Sequence, residues 1–137
     1  SCRFQKIGAD EIEAVIQKRN QFGINALNKL SIDNYHFYNL PCGRLDTVPI
    51  IEINKIIEDE INRFRPDTVL THSENDTNND HVIIFKSTIM ATRPSAQFVV
   101  KNVISYEILS SSEWKFSKSF EPNIFIEISE KDVENFK

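Results

Sequence analysis

The chain has 137 residues, of which 40% are hydrophobic and 26% are charged, and its net charge at neutral pH is −4. These values are typical of one soluble globular domain and exclude a disordered chain. Because the net charge is negative and the basic residues are scattered, the sequence argues against a nucleic-acid surface built on phosphate neutralisation. No apolar run approaches the ~20 residues that cross a bilayer, so we expect no transmembrane segment.

The two cysteines, Cys2 and Cys42, lie far apart and form no CxxC pair. The sequence therefore indicates neither a zinc ribbon nor a redox motif, and we expect a reduced, cytoplasmic protein. Nothing in the sequence indicates an oligomeric state.

The first predicted elements alternate between helix and strand. Over residues 12–30 the apolar residues mostly recur at steps of three and four, which predicts an amphipathic helix. Residues 35–40 are rich in aromatic side chains and predict a strand. A second helix is expected after Pro49, with isoleucines along one face, and it stops before Pro66.

A buried strand is predicted over residues 67–71, and a third helix follows it. Either Asn79 or Asp80 is expected to be the N-cap of that helix, and Pro94 is expected to end it.

The rest of the chain predicts more strands. Residues 99–108 and 123–128 have strand character, and a Ser-rich loop, 109–114, lies between them. We expect Trp114 to be a core residue rather than a sugar-stacking platform. Residues 130–137 predict the beginning of a helix. The alternation of strands and helices predicts an α/β fold, in which ligands bind beyond the carboxyl ends of the strands.

The polar segment THSENDTNNDH, residues 71–81, lies at one such strand end. Asp76, Asn78 and Asp80 have the spacing of a calcium-binding EF-hand loop, but the required glycine and glutamate are absent from its sixth and twelfth positions. The segment also lacks the glycines of a phosphate-binding loop. Two alternatives stay open: a polar loop with a helix cap, or a transition-metal site with His81 as ligand and Asp76 or Asp80 as its hydrogen-bond acceptor.

Four segments together resemble the PIG-L/LmbE-like family of zinc-dependent N-acetylglucosaminyl deacetylases. They are GRLDT at residues 43–47, RPDTVLTH leading into DTNNDH at 65–81, ATRP at 91–94, and YEILSSSEWKFSKSFEPNIFIEIS at 106–129. The resemblance implies a Rossmann-like three-layer α/β fold with a mainly parallel sheet. The chain is then a single partial domain over residues 1–137, incomplete at both ends.

The family implies one divalent metal, usually Zn²⁺, held by a His, an Asp and a second His. The second His ends the D-x-N-x-D-H element, so the resemblance assigns it to His81. The other two ligands and the general base belong to an HPDDE-type motif, which is absent from this sequence, whose only histidines are His36, His72 and His81. We therefore expect the remaining ligands upstream, in a larger protein of which this chain is a fragment, inactive by itself.

The resemblance implies hydrolysis of the N-acetyl amide of an N-acetylglucosamine-type sugar or glycoconjugate. Two residues are assigned to catalysis by the same likeness. Asn78 occupies the position of a family His that stabilises the oxyanion, and Asp80 lies next to the metal ligand, where it would orient that ligand or cap the helix. The competing hypothesis is a non-catalytic α/β module with a binding or structural role.

Four further residues are assigned to substrate binding: Arg44, Asp46, His72 and Asp76. Arg44 and Asp46 follow a predicted strand, and the resemblance implies that they line the sugar site, where a charged pair can clamp hydroxyls. The alternative is a turn in which Asp46 or Thr47 caps the next helix. His72 ends the strand that precedes the polar segment, and Asp76 lies within that segment.

Overall fold

The computed structural model of the protein describes residues 9–114 and 119–135. These residues form two compact units. One is drawn from the two ends of the chain, up to Leu40 and from Pro122 onward, and the other is Pro41–Glu121. The predicted single partial domain over residues 1–137 stays a prediction.

Helices and strands alternate in the middle of the described chain, between residues 50 and 106. In chain order they are helix α1 (Ala9–Lys29), a 3₁₀ helix (Leu45–Thr47), helix α2 (Ile50–Phe64), strand β1 (Thr68–His72), helix α3 (Asn79–Ala91), strand β2 (Asn102–Tyr106), a second 3₁₀ helix (Ser112–Trp114) and helix α4 (Glu130–Asn135). Among the described residues, no helix is long and apolar enough to cross a membrane.

Helix α2 has the limits that its two flanking prolines predict. Pro49 is its N-cap, and its fixed backbone angle suits a helix start. The helix ends at Phe64, and its C-cap, Arg65, adopts a left-handed conformation with φ of 51°. Because Pro66 disfavours a right-handed helical conformation in the residue before it, the chain leaves the helix there. The predicted second helix is confirmed.

Strands β1 and β2 form a parallel pair, in register from Thr68 opposite Asn102 to His72 opposite Tyr106. Helix α3 connects them, as a parallel crossover requires. Helix α3 packs against β1 and against α2. The core of this unit consists of Ile61, Ala91 and Val100, with Ile57, Val69 and Phe98 packed against them. This strand–helix–strand unit confirms the predicted α/β class and its parallel pairing.

The N-cap of α3 is Asn78, and the prediction of Asn79 or Asp80 was wrong by one or two residues. The side-chain oxygen of Asn78 accepts a hydrogen bond from the backbone N–H of Asp80 at 3.1 Å. An asparagine side chain that binds this N–H in the first turn satisfies a donor that the helix itself leaves unpaired.

Two predicted strands are wrong as strands. Residues 35–40 and 123–128 have no ladder hydrogen bonds and are irregular. The backbone of 35–40 still brings alternate side chains together, since the Tyr35 and Phe37 rings lie 5.5 Å apart. A β-strand needs a second strand to pair with, whatever its side-chain pattern. Neither segment is paired among the described residues.

Strand β2 is also shorter than the predicted range 99–108. Trp114 is not a core residue, because 70% of its surface is exposed. The predicted C-terminal helix is present as α4, and residues 136 and 137 of that prediction lie outside the described residues.

Candidate metal-ligand site at the end of strand β1

The loop after β1 folds back on itself before α3 begins. The backbone N–H of Asn75 donates to the hydroxyl of Ser73 at 3.1 Å. The backbone N–H of Asn78 then donates to Oδ1 of Asp76 at 2.7 Å. This turn, in which an aspartate accepts from the residue two positions on, directs the Asp76 side chain inward and starts the helix.

The Asp76 carboxylate is the centre of the site. Its side chain is fully buried, and its Oδ2 accepts hydrogen bonds from Nδ1 of His81 at 2.9 Å, from Ser111 Oγ at 2.9 Å and from Ser112 Oγ at 3.2 Å. Burial alone raises the pKa of Asp76, but the hydrogen bonds from His81, the Asn78 backbone and Ser111 outweigh it, and the pKa lies below its usual range. Asp76 is therefore ionised at neutral pH.

The hydrogen bonds around His81 define its tautomer. Because Oδ1 of Asn78 accepts from the Asp80 backbone, the Nδ2 of Asn78 is the group that faces His81. That nitrogen lies 3.1 Å from Nε2 of His81 and can only donate. Nε2 must then carry the lone pair, while Nδ1 carries the proton donated to Asp76. A neutral imidazole in this form is a metal ligand through Nε2.

His72 packs flat against His81. The two ring centroids lie 4.0 Å apart with 4° between the planes. The ring of Tyr106, on β2, has its centroid 5.2 Å from that of His72. Burial and the neighbouring His81 lower the pKa of His72, against an opposite effect of Asp76. The Nδ1 of His72 is buried and has no hydrogen-bond partner among the described residues. His72 is thus a neutral ring that supports one face of His81.

Asp80, the neighbour of His81 in the chain, binds a turn from an earlier part of the chain. Its Oδ1 accepts from the backbone N–H of Leu45 at 3.0 Å, and its Oδ2 accepts from the backbone N–H of Gly43. Gly43 has a φ of 73°, a conformation that residues with a Cβ rarely adopt. The turn GRLDT is therefore docked on the first turn of α3 through the residue next to His81.

Arg44 and Asp46 lie on that docked turn, and both are exposed. Asp46 lines an open cavity of about 600 Å³ together with residues of the α2 start and of α3, namely Pro49, Ile50, Asn79 and Ile83. The alternative that Asp46 or Thr47 caps α2 is wrong, because the N-cap is Pro49 and no side-chain hydrogen bond caps the start of the helix.

The fit of these residues to a metal is partial. Catalytic zinc usually has three protein ligands and an open position. Among residues 9–114 and 119–135, no three His, Cys, Asp or Glu side chains converge as such a group. His81 has the tautomer of a ligand and Asp76 is the acceptor that fixes it, so the described residues fit one position of a zinc site.

The structure brings four of the predicted site residues together, His72, Asp76, Asn78 and His81, and links Arg44 and Asp46 to them through Asp80. The contact of Ser111 and Ser112 with the Asp76 carboxylate was not predicted from the sequence. Their position in the sequence could have indicated this contact. The Ser-rich loop follows β2, and the carboxyl ends of parallel strands lie at the same edge of a sheet.

The fold is similar to that of a solved structure, the conserved protein TT1542 from Thermus thermophilus, with a TM-score of 0.68 at 20% sequence identity. The match covers 97% of this chain and 56% of that one, so the chain spans about half the length of TT1542. No curated protein matches the sequence significantly. The sequence profile of PIG-L, described as GlcNAc-PI de-N-acetylase, matches residues 3–92. The predicted resemblance is confirmed, and the chain belongs to the PIG-L family.

Proposed function

We propose that the chain supplies one wall of the active site of a metal-dependent N-deacetylase that hydrolyses the N-acetyl amide of an N-acetylglucosamine-type sugar or glycoconjugate. The observation that carries the proposal is the hydrogen bonding of His81, whose Nδ1 is bound to Asp76 while its Nε2 keeps a lone pair. Membership of the PIG-L family supports the reaction class. Since the chain spans about half of TT1542, the activity proposed is that of the full natural polypeptide.

Zinc is the metal proposed for this site. When bound, it would polarise the acetamide carbonyl and lower the pKa of a coordinated water. Among the described residues, His81 would hold it through Nε2, and Asp76 would keep the ring in the required tautomer. The described residues contain no group of three His, Cys, Asp or Glu side chains that could hold a metal ion by itself. In this proposal the described residues hold the metal at one position, orient its ligand and donate hydrogen bonds.

Asn78 is proposed as a hydrogen-bond donor to the substrate. Its Nδ2 lies 3.1 Å from Nε2 of His81 and donates to that lone pair. When the lone pair is taken by a metal, the same N–H is available to an oxygen of the substrate amide, where negative charge develops. An asparagine stabilises such charge as a neutral donor and cannot transfer the proton that a histidinium would.

Asp80, Arg44 and Asp46 are proposed to act as one group. Both oxygens of Asp80 bind the backbone of the GRLDT turn, so Asp80 positions that turn. The exposed side chains of Arg44 and Asp46 on the turn are proposed to contact sugar hydroxyls. In this proposal His72 and Asp76 support His81, one by stacking and one by a hydrogen bond, rather than contacting the substrate.

The test compares two histidine variants of the full natural polypeptide, for zinc content and for acetate release from N-acetylglucosaminyl substrates. We expect His81→Ala to lose zinc affinity by more than the about 10- to 100-fold that loss of an outer partner costs, and to lose acetate release. His36→Ala, which removes a histidine from the other unit, is expected to retain both. Equal zinc content in the two variants would contradict the ligand assignment.

Two other outcomes would change the proposal. A full polypeptide that binds no metal and releases no acetate would favour the non-catalytic α/β module. For the 137-residue chain alone we expect weak or no stoichiometric zinc binding, because the described residues supply one ligand. Tight one-to-one binding by that chain would require further ligands in it.

A further inference from the structure

Two hydroxyl groups reach the Asp76 carboxylate from a loop 35 and 36 residues further along the chain. Ser111 Oγ and Ser112 Oγ donate to Oδ2, at 2.9 and 3.2 Å. That same oxygen accepts the Nδ1 proton of His81. The position of Oδ2 therefore decides where the His81 ring is held, and the two hydroxyls help to fix that position.

The loop is itself held in place, which makes it a support. The backbone N–H groups of Ser111 and Ser112 donate to the carbonyl of Ile108, and the Ser112 hydroxyl accepts from the Ile108 N–H at 2.8 Å. The carbonyl of Ser111 accepts from the backbone N–H of Thr77, beside Asp76. Ser112 has no exposed surface. These contacts restrict the positions that the two hydroxyl groups can take.

We propose that Ser111 and Ser112 are positioning residues that act on His81 through Asp76. Four donors surround the carboxylate, one at Oδ1 and three at Oδ2. Removal of the two hydroxyls leaves the carboxylate held by the Asn78 N–H and by His81 alone, so Oδ2 moves more freely and the ring with it. The importance of this positioning for catalysis rests on the proposed function, but the positioning itself requires neither a metal nor a substrate.

The two hydroxyls can also have the opposite effect on the hydrogen bond from His81 to Asp76, so an experiment can distinguish the two. The hydroxyls also share the negative charge of Oδ2 with His81. If sharing were their main effect, their removal would strengthen the bond from Nδ1 to Asp76. If positioning is their main effect, removal makes that bond open more often.

The experiment measures solvent exchange of the His81 Nδ1 proton by NMR in the metal-free chain. We expect Ser111→Ala to speed exchange by about tenfold, the size expected for the loss of one hydrogen bond, and the double variant with Ser112→Ala to speed it further. Ser111→Thr retains a hydroxyl and is expected to restore slow exchange. Ser110→Ala, an exposed position in the same loop, is expected to leave it unchanged.

A second signal separates positioning from a general loosening of the loop. The Thr77 amide binds the backbone carbonyl of Ser111, so it should keep its protection in Ser111→Ala. Unchanged exchange of the His81 proton in a folded Ser111→Ala protein, or slower exchange with a downfield shift, would overturn the proposal. If the buried Ser112→Ala variant does not fold, Ser111→Ala alone decides, since Ser112 still satisfies the Ile108 N–H. Failure of the deacetylase assay would leave this result intact.

Discussion

Two carboxylates in the segment DTNNDH have contrasting surroundings. Asp76 is fully buried and accepts four hydrogen bonds, three of them from side chains. Asp80 is partly exposed and accepts two, both from the backbone of a distant turn. One carboxylate therefore orients a side chain, while the other holds a segment of main chain. Asp76 binds His81 directly through its side chain, whereas Asp80 is the neighbour of His81 in the first turn of α3.

The contrast predicts different costs of removal. A buried carboxylate that disappears leaves donors without partners and out of reach of water, which is expensive. Backbone N–H groups near the surface can bind water instead, so their loss of a partner costs less. Substitution of either carboxylate tests this contrast, and the larger loss of stability is expected at Asp76.

Asp76→Ala is expected to lower the free energy of unfolding by about 3 kcal/mol, because it leaves the donors around a fully buried carboxylate without their acceptor. Urea denaturation measures the change. The matched control is Asp67→Ala, which removes an exposed ion pair with Lys101 and should cost no more than about 1 kcal/mol. Equal losses in the two variants would mean that burial does not distinguish these carboxylates.

Asp80→Ala is expected to cost about 1–2 kcal/mol, since two backbone donors lose a charged acceptor but gain water. Its clearer signature is local: hydrogen exchange at the Gly43 and Leu45 amides should become faster, while the His81 ring signals stay as in the wild type. Asp46→Ala, on the same turn but outside this contact, serves as control. If the His81 signals change as much as the two amides, Asp80 acts on the ring and the contrast fails.

The sequence predicted the elements whose signals are local and missed the contacts that depend on distant segments. Helix α2, between two prolines, has the expected limits. The D-x-N-x-D-H element indicated His81 and its neighbours because they are close in the chain. The role of Asp80 could not be predicted, because its partners lie 35 and 37 residues away.

The two wrong strands have the same physical cause. Residues 35–40 and 123–128 carry strand-like side chains, but pairing is a property of two segments, and side-chain pattern reports only one of them. The contact of Ser111 and Ser112 with Asp76 was not predicted for a related reason. A serine is common in loops, and only the parallel pairing of β1 with β2 brings this loop to the carboxylate.

The smallest expected effect concerns His72, whose ring stacks on the same His81 that Asp76 binds. Because burial and His81 lower its pKa, the unfolded chain, with a pKa near 6.5, binds more protons than the folded one. Stability should therefore fall as the pH drops below about 6.5. His72→Phe keeps a flat ring and removes the titrating group, so the free energy of unfolding should vary less between about pH 8 and pH 5 than in the wild type. An unchanged slope in His72→Phe would show that the buried imidazole does not set this part of the pH dependence.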